Sequence, residues 1–415
     1  MTSRSRQPRR RRPGWLVAMT STAAPPAPPR SRTPGWPAVL AVTMGIFSIV
    51  TTEILPVGLL TSIGSGFTVS DGTAGLMMTM PGYLAAVAAP VLTVATARLD
   101  RRLMLCACML LLAVANVLAA TAPAFWAMLL SRVLVGVVIG GFWSIAAGLA
   151  DRLVAPSQVR RATAVIFSSV PLGSVFGVPL GTLIGDAAGW RTSFAVMAAL
   201  SLTVLLALAV VLPPLPAGRA TRLTVLRGAL RSGGTWRALV FTVLIVLAHF
   251  GAYTYVTPFL KQVTHAPPTA FLLVYGVAGV AGNFLGGLTV ARRPVLTSAA
   301  AATLIASATL ALPTFGDDTV GAAVLLTLWG IGYGAVPVCS QAWFAAATPE
   351  TPEAASVLFT ASFQATLSTG ALAGGLVVDR TSPSTVMLLG GATAALMLLV
   401  LLTRRGQPQH LKSTP

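Results

Sequence analysis

The sequence predicts an all-α membrane protein, with twelve transmembrane helices arranged as two pseudo-symmetric six-helix bundles. Three observations carry that prediction. Of 415 residues, 55% are apolar and only 9% are charged, with a mean hydropathy of +0.81; a soluble domain carries about 25% charged residues. The apolar residues gather into twelve runs, each near the ~20 residues that a helix needs to cross a ~30 Å hydrocarbon core. The longest connection within the apolar region, 213–237, divides these runs six and six. So little charge cannot clothe a water-facing surface, which excludes a soluble enzyme, and so many apolar residues exclude a disordered chain.

Residues 1–36 come first, with Arg4, Arg6 and the run Arg9 to Arg12 ahead of a Pro/Ala stretch around Pro25 to Pro29. Trp15 to Met19 is too short for the apolar core of a signal peptide. The segment is expected to be a disordered basic cytoplasmic tail, and translation from Met19 is an alternative start. The expected spans are 37–60, 73–96, 103–121, 123–150, 161–184 and 192–212 in a first bundle, 37–212. After the linker 213–237 come 238–260, 269–290, 295–313, 319–346, 353–377 and 384–403 in a second bundle, 238–403, followed by a cytoplasmic tail, 404–415.

Charge orients the spans. With both termini inside, the inner segments hold 24 Lys+Arg and the outer loops three: Arg191, Lys261 and Arg380. Such asymmetry places both termini in the cytoplasm and accounts for the net charge of +18 without nucleic acid as a partner. The three cysteines, Cys106, Cys108 and Cys339, all lie in apolar runs without metal-ligand spacing, so no metal site is expected. The halves match each other. Gly177, Gly181 and Asp186 correspond to Gly370, Gly374 and Asp379 at one offset, 193, and Gly136 and Gly140 to Gly330 and Gly334 at 194. Pro56 in span one corresponds to Pro258 in span seven. Related halves put a substrate site at their interface, near the midplane.

Three ionisable residues fall inside the spans: Glu53, Arg132 and His249. A charge in hydrocarbon costs at least ~2.5–3.5 kcal/mol, so such residues face a cavity or a partner. Counted from the expected span ends, Glu53 lies ~10 Å and Arg132 ~13 Å from the outer surface. That common depth suggests an ion pair, direct or through water. Desolvation favours the neutral acid and a nearby guanidinium the ionised one, so a carboxylate between those influences suits proton coupling; a static pair that fixes helix packing is the alternative. His249 lies mid-span beside Tyr253, Thr254 and Tyr255. Substrate binding is preferred for it over proton relay, with packing the plainer reading. Asn283, Gln341 and Gln364 are further substrate-binding candidates, each equally suited to an interhelical hydrogen bond. The span-five run Gly173-x-x-x-Gly177-Val178-Pro179-Leu180-Gly181 suggests a bend or a tight helix seam.

These residues resemble those of the major facilitator superfamily, and specifically its bacterial twelve-span drug:proton antiporters. The span-five run is similar to the antiporter motif of that group. Arg132-Val133-Leu134-Val135-Gly136 is similar to its span-four motif, whose Arg is linked to proton coupling, with Val135 in place of the usual Gln. Thr52-Glu53-Ile54-Leu55-Pro56-Val57-Gly58 and His249-Phe250-Gly251-Ala252-Tyr253-Thr254-Tyr255 resemble the arabinose/sugar and purine-ribonucleoside efflux branch. Trp190-Arg191 is a further superfamily feature. The resemblance covers about residues 37–403. It implies gating by loop 2–3, Ala97-Arg98-Leu99-Asp100-Arg101-Arg102, so Arg98, Asp100, Arg101 and Arg102 are gating candidates. Ala97 stands where the family has Asp, Asp100 stands where Gly is usual, and Ala291 lacks the matching acid of loop 8–9. The inward latch is thus expected to be weakened, or rewired through Asp100.

The resulting expectation is a proton-coupled secondary transporter in the inner membrane. It would export a small organic molecule of drug, sugar or nucleoside type by alternating access, as a monomer, with the proton gradient and no cofactor as its energy source. A proton-symporting importer is the alternative; a non-transporting sensor has no fused regulatory domain in the sequence to support it. An intramembrane enzyme is disfavoured, because neither HExxH nor Gly-x-Ser-x-Gly nor paired intramembrane aspartates occur.

Overall fold

The computed structural model describes residues 35–96, 98–146, 149–216, 228, 230, 232–264, 266–349 and 352–403. The expected tails, the alternative start at Met19, Ala97 and most of the central linker fall outside the described residues.

Twelve helices are long and apolar enough to span a membrane. In order they are Trp36–Phe67, Asp71–Thr93, Arg101–Ala120, Phe125–Trp143, Pro156–Ala188 and Trp190–Val211, then Gly233–Tyr253, Pro268–Val290, Pro294–Phe315, Thr319–Ala347, Ala355–Arg380 and Pro383–Leu401. They are called spans one to twelve below. The described chain begins and ends on one face, the terminal face; the opposite face is the far face.

Several boundaries differ from expectation. Span one continues to Phe67, where Thr68 adopts a left-handed conformation and closes the helix. Span seven begins at Gly233, inside the expected linker, because the Ser232 side chain caps it by accepting from the Gly234 amide. That helix stops at Tyr253 and resumes as Val256–Val263. Pro258 explains the break: it has no N–H to give the Thr254 carbonyl and its ring crowds that turn. Pro56, its counterpart, sits inside an unbroken helix. In span five, a π-turn over Gly173–Gly177 precedes Pro179.

The two halves pack by the same scheme. Span two lies against span four, span three against span six and span one against span five; span eight lies against ten, nine against twelve and seven against eleven. Small residues bring these pairs close. A Cβ on Gly177 would collide with Thr51 of span one, and one on Gly370 would press on the Gly251 amide of span seven. The matched glycines therefore make the same contact in each half. Between the halves, span two meets span eleven and span five meets span eight, again a reciprocal pair. One apolar core lies within the first half, a second fills the second half and takes in Val57, Met78 and Val178 of the first, and a third cluster beneath the far face joins Leu55, Leu59 and Met77 to Tyr255 and Val386.

On the terminal face, Asp100 caps span three through the Arg102 amide (2.7 Å) and accepts from the Leu215 amide (3.1 Å). Arg101 Nη1 donates to the Thr96 carbonyl, Arg102 Nη2 to Ala209 and Arg152 Nη2 to Pro216. This network bolts the chain after span six to the first half. Asp100 is thus occupied as a helix cap and a strap for that segment. Arg98 is exposed. On the far face, Arg191 lies over the rings of Trp190 (4.2 Å) and Phe67 (5.5 Å) and donates to the Ala122 carbonyl.

Candidate functional site at the interface of the halves

Glu53 and Arg132 do not pair. Arg132 is completely buried. Its Nη1 donates to the Thr52 carbonyl (3.0 Å), its Nε and Nη2 to Ser131 Oγ, and its guanidinium lies 5.0 Å from the Phe194 ring centroid. Asn116 adds a bond from Nδ2 to Thr52 Oγ1. Glu53, one residue on, points elsewhere: its Oε1 accepts from Gln364 Nε2 of span eleven at 2.9 Å. The reason is helical geometry. Successive residues point about 100° apart around a helix, so Thr52 faces its own half while Glu53 faces the other. The expected ion pair is corrected to a charge that grips the backbone of span one beside a carboxylate bonded across the interface.

Glu53–Gln364 is the innermost rung of a ladder. Farther out, Thr257 Oγ1 donates to the Val57 carbonyl and Ser368 Oγ to the Thr79 carbonyl, and Tyr83 and Thr369 share a hydroxyl bond. At the far face, Gly72 and Ser70 donate to Asp379, and Thr269 to Asp186. From Gln364 to Asp379 the ladder spans ~22 Å of helix. Among the described residues, every hydrogen bond joining the halves lies within it. Toward the terminal face the halves part around a cavity of about 240 Å³, lined by Trp143 and Phe167 from the first half and by Gln341, Ala345, Ser356 and Phe359 from the second. The interface is sealed on the far side and open on the terminal side.

His249 is fully buried in an aromatic cluster. The Trp329 indole N–H donates to its Nδ1 (3.0 Å), Tyr275 Oη lies 3.5 Å from its Nε2, and its ring stacks on Tyr333 (3.4 Å between centroids) and Tyr253 (4.9 Å). An indole N–H only donates, so Nδ1 accepts and the ring is neutral with its proton on Nε2. In that state the Nε2 proton faces Tyr275 Oη. Tyr333, half-buried, is the member of the cluster with a face left to present.

The remaining candidates separate. Gln364 joins Glu53, and Gln341 lies exposed on the cavity wall. Tyr255 stands apart: its hydroxyl donates to the Ala371 carbonyl (2.7 Å) inside the far-side seal. Asn283 Nδ2 donates to the Gly334 carbonyl, joining spans eight and ten, which is its interhelical alternative. Gly173, Gly177 and Gly181 press against Val50, Thr51 and Leu55, so the run containing Pro179 seats span one on both sides of Glu53. Tyr275, Trp329 and Tyr333 were not singled out from the sequence. Their trace is Trp329 and Tyr333 one turn apart in one span, a spacing that also suits plain core. Among the described residues, no His/Cys/Asp/Glu group is arranged to hold a metal.

The comparisons agree with this architecture. The family model described as Major Facilitator Superfamily matches residues 40–364. A Pseudomonas aeruginosa relative, "Transcription regulatory protein OpdE", is 33% identical over 380 residues, covering 89% of this chain and 94% of the relative. A Helicobacter pylori relative, "Probable sugar efflux transporter", is 29% identical over 363 residues, covering 87% and 93%. Among solved structures, a bacterial homolog of the human lysosomal transporter Spinster, in an inward-facing and unoccupied conformation, superposes with a TM-score of 0.66 at 16% identity, covering 88% of this chain and 94% of that one. With twelve spans in two alike halves and a family match over most of its length, the chain belongs to the Major Facilitator Superfamily.

Proposed function

We propose that this multi-pass membrane transporter is a proton-coupled exporter of a small organic molecule, of drug, sugar or nucleoside type, working by alternating access in the inner membrane. The observation that carries this reading is the position of Glu53. Among the described residues it is the one acid bonded between the halves at span depth, and its partner Gln364 lies one turn along span eleven from Thr360 of the terminal-side cavity wall. When the halves rock, that rung is the first met from the terminal side and the last to part as the far side opens. A carboxylate there changes the bond between the halves when it gains or loses a proton, so protonation and rocking are one event. Arg132 acts as a positioning residue, holding the Thr52 carbonyl and with it the register of span one.

Orientation follows from charge: the terminal face, rich in arginine, is cytoplasmic, and the described state opens to the cytoplasm, ready to load. The outward direction is supported by the name of the Helicobacter pylori relative. Substrate would rest between Glu53–Gln364 and the aromatic cluster, with Tyr333 as a stacking face and Gln341 along the entry. The chain would act as a monomer, with no cofactor.

The test is transport by the full chain in proteoliposomes under an imposed pH gradient, with sugars, nucleosides and antibiotics as trial solutes. Glu53→Gln is expected to reduce pH-driven transport to background while leaving solute binding measurable. Undiminished pH-driven movement in Glu53→Gln would remove the proposal. The name of the Pseudomonas aeruginosa relative gives a second outcome, a solute sensor, which would bind a solute without moving it.

A further inference from the structure

The far end of the ladder is built twice. Asp379, at the end of span eleven, accepts from the Gly72 amide at Oδ1 (2.9 Å) and from Ser70 Oγ at Oδ2 (2.7 Å). These donors begin span two, in the other half. Asp186, at the end of span five, accepts from Thr269 Oγ1 (3.1 Å) in the first turn of span eight. The two aspartates are the pair matched at offset 193 in the sequence, and their donors begin the second span of each opposite half. The fit around Asp379 is close: a Cβ on Gly72 would run into Asp379 and the Gly375 carbonyl, and one on Gly75 into the Tyr255 hydroxyl.

We propose that Asp379 and Asp186 are the paired gate residues of the far face. Each carboxylate clips the start of the opposite half's second span, and both clips must release before the far side opens. Asp379, with two donors against one, is the stronger clip. Its bonds are charge-assisted and use a backbone N–H that has no partner within its own helix. Opening the far side therefore costs the bonds that both carboxylates make to the opposite half. The inference rests on alternating access but not on Glu53 as proton carrier.

The experiment reads gate exposure, not export, so its failure is distinct from that of proton coupling. Cys106, Cys108 and Cys339 are replaced by Ser, and Ala74→Cys, fully buried beneath the clip, serves as the reporter. Labelling of the detergent-solubilised full chain by a hydrophilic maleimide is timed. Asp379→Ala should raise the labelling rate about tenfold, the size expected from losing charge-assisted bonds in one state only. Asp379→Asn, which keeps one acceptor, and Ser70→Ala, which removes one donor, should each give a smaller rise, and Asp186→Ala a smaller rise that compounds with Asp379→Ala. Asp71→Asn, which removes the repulsion between Asp71 and Asp379 but no clip, should not raise the rate. Rates within twofold of the parent for both aspartate variants, with cooperative melting retained, would overturn the proposal. So would a rise in Asp71→Asn equal to that in Asp379→Ala.

Discussion

In each half, the fourth helix reaches across to hold the first, but the two clasps are made of different chemistry. In the first half, span four holds span one through a guanidinium, Arg132 to the Thr52 carbonyl. In the second, span ten holds span seven through an uncharged pair, Trp329 to His249. Around Arg132 stand Ser131, Asn116 and the Phe194 face; around His249 stand Tyr253, Tyr275 and Tyr333. The two halves share one geometry, but one fills it with fixed charge and the other with flat, neutral surface. The difference suggests a division of labour. On the proposed function, the charged half would carry the proton-coupling carboxylate and the aromatic half would offer faces against which a solute stacks.

The charged clasp is where the comparison breaks most visibly. Arg132→Lys keeps the positive charge but cannot reproduce the forked contact with Thr52 and Ser131. Hydrogen bonds to charged groups contribute ~1.5–3 kcal/mol, so transport driven by a pH gradient should fall about ten- to a hundredfold. Arg132→Ala should fall at least as far. Counterflow of solute without a pH gradient separates the roles: it should survive Glu53→Gln better than it survives Arg132→Ala, because the arginine positions span one in every state. Equal counterflow in the two variants would mean that Arg132 acts only through protonation of Glu53.

The spans and their order were legible because lipid imposes a single ruler on every apolar run. Glu53 was legible for the same reason, as a lone acid in such a run. Its partner was not. Depth can be counted along a helix, but which neighbour a side chain meets depends on its angle about the axis, and Thr52 and Glu53 differ by about 100°. Equal depth suggests that Glu53 meets Arg132, but the arginine takes the carbonyl one residue earlier and the carboxylate takes Gln364. The aromatic cluster was half legible. His249 and Tyr253 are one turn apart, but Tyr275, Trp329 and Tyr333 come from spans that only folding brings near. Proline gave a partial signal as well: it marks a missing hydrogen bond, yet span seven breaks at Pro258 while span one runs through Pro56.

The neutral clasp should show a smaller and different effect. Trp329→Phe preserves the ring but removes the only donor to His249 Nδ1. A buried acceptor left unpaired costs ~1–3 kcal/mol, so the melting temperature should drop. If the second half serves solute, affinity should weaken by roughly three- to tenfold as Tyr333 loses its backing, while the number of protons moved per solute stays fixed. A changed proton stoichiometry in Trp329→Phe would place the histidine cluster in the proton path and dissolve the division between the halves.

The smallest effect is expected where a polar residue serves packing alone. Asn283 spends its Nδ2 on the Gly334 carbonyl, at the point where span ten lies against span eight. Hydrogen bonds between membrane helices contribute ~0.6 kcal/mol on average, because the separated helices find other partners. Asn283→Ala should therefore lower thermal stability slightly and leave both solute affinity and proton coupling as they were. The glycines bring the two helices together there: Gly334 has no space for a Cβ against the Gly279 backbone, so Gly334→Ala should weaken the same seam far more than removal of the amide does. A loss of affinity in Asn283→Ala that Gly334→Ala does not share would move this residue from the frame of the second half to its binding surface, and the solute would then have to extend past the aromatic cluster toward spans eight and ten.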